Sequence, residues 1–149
     1  MKHFHRLLWA WLAAGFCAAQ SSGPDITLRL NGRAASAIPL ELWRGEPVIA
    51  EVLLRHPDRH ATEPLRLEPP AGNLASRVQV LAIDEPGRRV PWTFVATGTV
   101  PNDGLDLQPN AVTTLVFRLD TTTIAAITPG TYRVWVRLSL ADGRAWRRI

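Results

Sequence analysis

Apolar and polar residues alternate with a period of two through most of this chain, and turn residues break the alternation at short intervals. Successive side chains of a strand point to opposite faces, so this pattern predicts half-buried β-strands. Ile26 to Leu30 is the first, closed by Asn31-Gly32. Leu40 to Trp43 is a second, entered through Ile38-Pro39 and left through Arg44-Gly45-Glu46-Pro47. Val48 to Arg55 sets Val48, Ala50, Val52 and Leu54 on one face and Ile49, Glu51, Leu53 and Arg55 on the other, which predicts a central strand partly covered on both sides. His56 to Glu63 is a polar loop before a short edge strand, Pro64 to Leu67. Arg77 to Asp84 and Val90 to Ala96 read as a hairpin across residues 85–89, and Thr97 to Asn110 as a long Gly/Pro/Asn/Asp loop. Val112 to Leu119 follows, with Leu115, Phe117 and Leu119 on one face. Thr121 to Pro129 is expected to cross between sheets, with one short turn at Ile124 to Ile127.

The last segment carries the strongest local signal. Tyr132 to Ala141 and Arg144 to Ile149 flank Asp142-Gly143, and both turn residues tolerate φ > 0, as a two-residue hairpin turn demands. Alternation puts Tyr132, Val134, Val136, Leu138 and Leu140 on the core side. Such a turn would pair Ala141 with Arg144, Ser139 with Trp146 and Arg137 with Arg148. The expected outer face is then Arg133, Trp135, Arg137, Arg144, Trp146 and Arg148. Arg147 fits badly: it falls opposite Leu138 on the core side and would have to snorkel out at the sheet edge.

The whole therefore predicts an all-β chain, a two-sheet antiparallel β-sandwich of seven or eight short strands, in one domain spanning 20–149. No internal repeat or low-complexity tract divides it. Residues 1–19 stand apart. Lys2, His3, His5 and Arg6 precede the apolar run Leu7 to Phe16, and Cys17-Ala18-Ala19 follows with small side chains. That is the layout of a cleaved secretory signal peptide, with cleavage expected after Ala19. The run is shorter than the roughly 20 apolar residues that span a bilayer, so no membrane span is expected after cleavage. Phe16 occupies the position where a lipobox needs a small residue, which argues against lipidation of Cys17. The expected destination is the periplasm or the extracellular space.

Cleavage would change the composition. The single Cys and the single Lys both lie in residues 1–19, so the remainder has no thiol, and 15 Arg face 13 acids. A fold of about 130 residues buries roughly two-thirds of its unfolded surface, enough to stand without disulfides. The modest basic excess argues against nucleic acid as a partner.

Ile127-Thr128-Pro129-Gly130-Thr131-Tyr132-Arg133-Val134-Trp135-Val136 resembles the E–F region of immunoglobulin-like and fibronectin type III-like sandwiches in exported bacterial proteins. Leu42-Trp43-Arg44-Gly45-Glu46-Pro47-Val48 is similar to the A–B entry of such domains. The resemblance covers most of residues 25–149. It implies that Tyr132 is a corner tyrosine, its ring at the core end and its hydroxyl bonded to backbone upstream. The Cys pair of antibody domains is absent, so the likeness is to disulfide-free fibronectin-like or proteinase-inhibitor-like sandwiches. Such an architecture hosts many functions and implies none.

Candidate chemistry is sparse. Guanidiniums stacked on indoles gain about 0.5–1 kcal/mol each at exposed sites. The Arg/Trp face of the last hairpin is thus either a self-contained stack shielding the sheet or a docking face for an acidic protein or a glycan. His56-Pro57-Asp58-Arg59-His60 brings two imidazoles and a carboxylate close in sequence, but metal sites need three or four converging ligands, and a solvated loop is expected. Asn102-Asp103-Gly104-Leu105-Asp106 lacks the spacing and terminal Glu of a calcium loop and reads as a turn held by Asn and Asp side chains. No Gly-x-Ser-x-Gly elbow, phosphate loop or mature Cys nucleophile is present. The expectation is a non-catalytic binding or structural module without a cofactor. The alternative is a proteinase-inhibitor-like sandwich presenting the 97–110 loop.

Overall fold

A computed structural model describes residues 23–34, 41, 45–69, 74–101, 103–140 and 145–148, with backbone only at 75 and 145–148. The proposed signal peptide, the strand Leu40 to Trp43 except Glu41, Asn102 and the turn at Asp142-Gly143 with Arg144 lie outside the described residues.

Among the described residues eleven strand segments and two short helical turns follow one another. β1 is Asp25–Leu30, β2 Arg33–Ala34, β3 Ile49–Arg55 and β4 Leu65–Leu67. A 3-10 turn at Leu74–Arg77 leads into β5, Val78–Asp84. β6 is Arg89–Val90, β7 Phe94–Thr97, β8 Leu105–Leu107 and β9 Val112–Leu119. Helix α1, Thr121–Ala126, links β9 to β10, Tyr132–Ser139, and β11 is Ala145–Arg148. All pairings are antiparallel: a five-stranded sheet β2-β1-β3-β9-β7, a four-stranded sheet β11-β10-β5-β6 and a two-stranded ribbon β4-β8. The all-β expectation holds.

The alternation read from sequence is the alternation of burial. Ala50, Val52 and Leu54 of β3 lie in register with Leu28 and Ile26 of β1 and with Phe117 and Leu115 of β9, and all are buried. β3 is flanked by β1 and β9, as its two-sided pattern predicts, and Leu53 on its other face is buried too. Val78 and Val80 of β5 and Val136 and Leu138 of β10 join those residues in one hydrophobic core, with Leu67 and Leu107 of the ribbon. The inner faces of all three sheets thus share a single core. A second cluster, Val48, Leu119 and Ile124, sits where α1 meets the end of the five-stranded sheet. Asp120 caps that helix, its carboxylate accepting from the Thr122 and Thr123 N–H groups at 3.1 and 3.4 Å.

Three local expectations need correction. Val90 to Ala96 is not one strand. Val90 pairs with Ala82 in the four-stranded sheet, whereas Phe94 pairs with Leu119 in the five-stranded one. Pro91 lies between them; it has no N–H to give a ladder, so the chain leaves one sheet there and enters the other. Residues 97–110 are not a structureless loop. β8 lies within them, pairs with β4 and buries Leu107, so the stretch proposed as an inhibitor loop is tied into the core at its centre.

The third correction concerns the last hairpin. β10 and β11 pair Val136 with Arg148, Arg137 with Arg147, Leu138 with Trp146 and Ser139 with Ala145. That register is displaced by one residue from the one a two-residue Asp142-Gly143 turn would impose. Because the side-chain period of a strand is two, a one-residue displacement exchanges the two faces of β11.

Candidate functional site

The outer face of the four-stranded sheet can be assembled row by row from the register. Arg89, Ile83 and Arg133 form one row across β6, β5 and β10. Leu81 and Trp135 form the next, and Gln79, Arg137 and position 147 the third. Leu81 is buried despite its outward register, Trp135 and Arg137 are half-buried, and Arg89 and Arg133 are exposed. A nearly dry apolar strip therefore runs between two basic rows.

Of the predicted face, Arg133, Trp135 and Arg137 lie together as expected. Positions 146 and 148 do not join them. They share the register of Leu138 and Val136, which are buried, so Trp146 and Arg148 alternate with the outer set. Arg144 lies outside the described residues. Two basic positions were missed. Arg147 falls in the outer row of Arg137, and Arg89 belongs to β6 and not to the preceding turn. The signal for Arg147 was its misfit on the core side, which a one-residue displacement removes.

Among the described residues no acid occupies an outer register position of this sheet. Asp84 is used elsewhere. Asp84, at the end of β5, accepts the Arg88 N–H at 2.7 Å and its Nε at 3.0 Å, with Nη2 at 2.9 Å. Arg88 is thereby neutralised while its neighbour Arg89 is not: among the described residues Arg89, Arg133 and Arg137 form no ion pair. The Nε of Arg137 is shut off from solvent and has no hydrogen-bond partner among the described residues. The outer face of the five-stranded sheet is arranged differently. There Asp25 stands opposite Arg55 and Glu51 opposite Arg29. Opposite charges across a ladder stabilise it, and like charges do the reverse.

The corner predicted for Tyr132 has the expected bond. Its hydroxyl donates to the Thr128 carbonyl at 2.8 Å, and the Thr128 hydroxyl lies 3.0 Å from the same oxygen. The ring passes over Gly130 and tilts by 44° against Trp92, with centroids 4.7 Å apart. Both rings line an open, uncharged cleft of about 360 Å³ between residues 90–92 and α1, with Thr122, Thr123 and Ile127 on its far side.

The remaining sequence candidates are turns. Asp58 N–H donates to His56 Nδ1 at 3.0 Å, and His60 N–H to the Asp58 carboxylate at 2.8 Å, so the loop's polar groups serve its own backbone. In the stretch around Gly104, the Arg66 guanidinium of β4 donates to the Asp103 carbonyl at 2.7 Å and to the Asp106 carboxylate at 3.1 Å. A cation of the chain itself thus takes the oxygens that suggested calcium. Among the described residues no three His, Cys, Asp or Glu side chains converge on a metal position, and no helix is long and apolar enough to cross a membrane.

Comparison of the chain with protein-family models, with curated proteins and with solved structures finds no match.

Proposed function

We propose that this chain is an exported, non-catalytic binding module, an immunoglobulin-like or fibronectin type III-like β-sandwich that meets its partner through the outer face of the four-stranded sheet. The observation that carries the reading is the segregation of charge. One outer face sets Arg29 and Arg55 opposite acids and Arg118 between Ile49 and Val95, while the other gathers Arg89, Arg133, Arg137 and position 147 around Trp135 and Leu81 with no acid among the described residues. Like charges gathered on one sheet face, with Arg89, Arg133 and Arg137 in no ion pair among the described residues, cost stability, and a partner of opposite charge offsets that cost. The sandwich assignment draws support from the shared core of the sheets and from the bond between Tyr132 and Thr128.

Two measurements test the reading. Affinity capture from the native envelope fraction and a glycan array are run with wild type and with the Arg133→Ala, Trp135→Ala, Arg137→Ala triple variant. Partners lost on substitution are expected; identical profiles would sink the binding assignment. Export predicts a mature N-terminus at Gln20, visible by mass spectrometry as a cyclised pyroglutamate. An intact Met1 terminus in the envelope fraction would overturn it.

A further inference from the structure

The last strand of a sheet leaves one row of main-chain groups without a ladder, and charged side chains commonly guard such an edge against a second chain. Here β2, β6 and β11 carry Arg33, Arg89 and the basic positions 147 and 148. The two ribbon strands carry Arg66 and Asp106. Among the described edge strands β7 is the exception. It closes the five-stranded sheet, and residues 92–100 hold no charged residue and no Pro. Its Val95, 53% exposed, is the most open large apolar side chain among the described residues. The Thr93 carbonyl accepts the N–H of Asp120, just past β9, at 2.9 Å. By alternation Val95 and Thr97 also turn their main-chain groups to β9. Phe94 and Ala96 turn theirs to the open edge, where no described strand receives them.

A foreign strand or a second copy of this chain could complete that edge, and the side chains of β7 favour the copy. A two-fold axis through Val95, perpendicular to the sheet, runs two β7 strands antiparallel and keeps inner faces in and outer faces out. Phe94 then stands opposite Ala96 of the second copy, and Ala96 opposite its Phe94. Both side chains pack against the core, so each inward position sets a large group against a small one. These two pairs exchange four N–H···O=C bonds. Between them Val95 meets itself at the closest approach of an antiparallel pair, with Cα atoms about 4.5 Å apart, and loses its exposed apolar surface. Thr93 falls opposite Thr97, a pairing that sheets favour. A strand of other sequence would have to reproduce this order; the second copy has it already. The nearest charge is Arg118, opposite Val95 on β9. Three strand spacings, about 14 Å, would separate the two copies of it, beyond the screening length of about 8 Å at physiological salt. The same two-fold at β2, β6 or β11 would set arginine positions beside one another.

We infer that this chain forms a two-fold dimer by pairing β7 with β7 of a second copy, which joins two five-stranded sheets into one continuous sheet. The pairing uses no residue of the outer face of the four-stranded sheet, so it is independent of the binding reading above.

The test is sedimentation equilibrium of the full chain from about 1 μM to about 1 mM, with amide hydrogen exchange at both ends of that range. The mass is expected to rise from one chain toward two. Over the same range the Phe94 and Ala96 amides should slow by about tenfold or more. The Val95 and Thr97 amides, already in the ladder with β9, should not change. Val95→Lys sets two ammonium groups against each other at the axis and should weaken association by about tenfold or more. Its thermal unfolding midpoint should be kept, because Val95 is exposed. In a Cys17→Ser background Val95→Cys should oxidise to a covalent dimer. Thr97→Cys should not, since position 97 faces Thr93 of the second copy. A single-chain mass throughout would overturn the inference. So would a dimer that Val95→Lys leaves at full strength, or one that Thr97→Cys closes as readily as Val95→Cys. If the chain stays monomeric and Val95→Lys instead loses a protein captured from the envelope fraction, the edge takes a foreign strand and the second-copy assignment falls.

Discussion

Asn31 occupies the left-handed region with φ 48°, followed by Gly32 at φ 77°, the pair of conformations a tight two-residue hairpin turn needs. Its side chain also works across the sheet: the carboxamide oxygen accepts the Ile49 N–H at 2.7 Å and its Nδ2 donates to the Pro47 carbonyl at 3.1 Å. Asn31→Gly keeps the backbone freedom and loses both bonds, so it is expected to destabilise by about 1–2 kcal/mol. Asn31→Ala adds the left-handed penalty of roughly 1–2 kcal/mol. Urea unfolding of the two variants separates the contributions, and equal losses would show the backbone term to be negligible. Asp120 gives a pH prediction of the same scale. The Thr122 hydroxyl bond, ahead of the opposing loss of solvation and with help from the N–H groups of Thr123, Thr122 and Thr121, holds its carboxyl below the ordinary 3.8. A depressed carboxylate contributes stability that is complete above the ordinary value and is lost as pH falls through the folded one. Asp120→Asn should therefore leave neutral stability nearly intact, because Asn also caps well, and flatten the acid limb of the unfolding curve. An unchanged acid limb would remove Asp120 from the titration.

Elements here are decided by their neighbours as much as by their own pattern. β4 and β8 are three residues each, too short to persist alone, and Arg66 ties them by reaching Asp103 and Asp106. Gly104 lies beneath β4 with φ 113°, where an added Cβ would stand 2.6 Å from the Leu67 carbonyl oxygen. Gly104→Ala is expected to cost about 2–3 kcal/mol through overpacking and strain together, measured as a fall in the denaturation midpoint. The hairpin of β10 and β11 allows a direct test of register. Ser139→Cys with Ala145→Cys should oxidise readily to a cross-strand disulfide, since directly opposed Cα atoms are about 4.5–5.5 Å apart. Ser139→Cys with Trp146→Cys should not, and preferential closure of that pair would restore the two-residue turn.

At the scale of the molecule, one core joins the inner faces of all three sheets. Leu107, on a three-residue strand far along the chain from β4, pairs with Leu65 and is as deeply buried as Leu67 two residues on. Leu107→Ala is thus expected to lower the single unfolding midpoint by about 2–5 kcal/mol of stability, with far- and near-UV signals moving together. Two separated transitions would show the ribbon to be an independent unit.

What could be read in advance was whatever depends on near neighbours along the chain. Strand faces from Ile26 to Leu30, Val48 to Arg55 and Val112 to Leu119 follow from the period-two pattern, because a strand's own geometry sends alternate side chains to opposite sides. The upstream bond of Tyr132 was expected from the resemblance and not from the alternation, and its partner is Thr128, four residues away. Half of the candidate face was legible too: Arg133, Trp135 and Arg137 lie on one strand, and one strand's alternation places them together. The other half needed pairing between strands. Whether Trp146 or Arg147 shares a row with that set depends on a one-residue register that a turn signal does not determine uniquely. The membership of Arg89 depends on where the chain leaves the sheet at Pro91. Alternation along one strand is local physics and is written in the sequence. Which strands stand side by side, and in what register, is settled by the packing of the whole core, and that decided which arginines share a face.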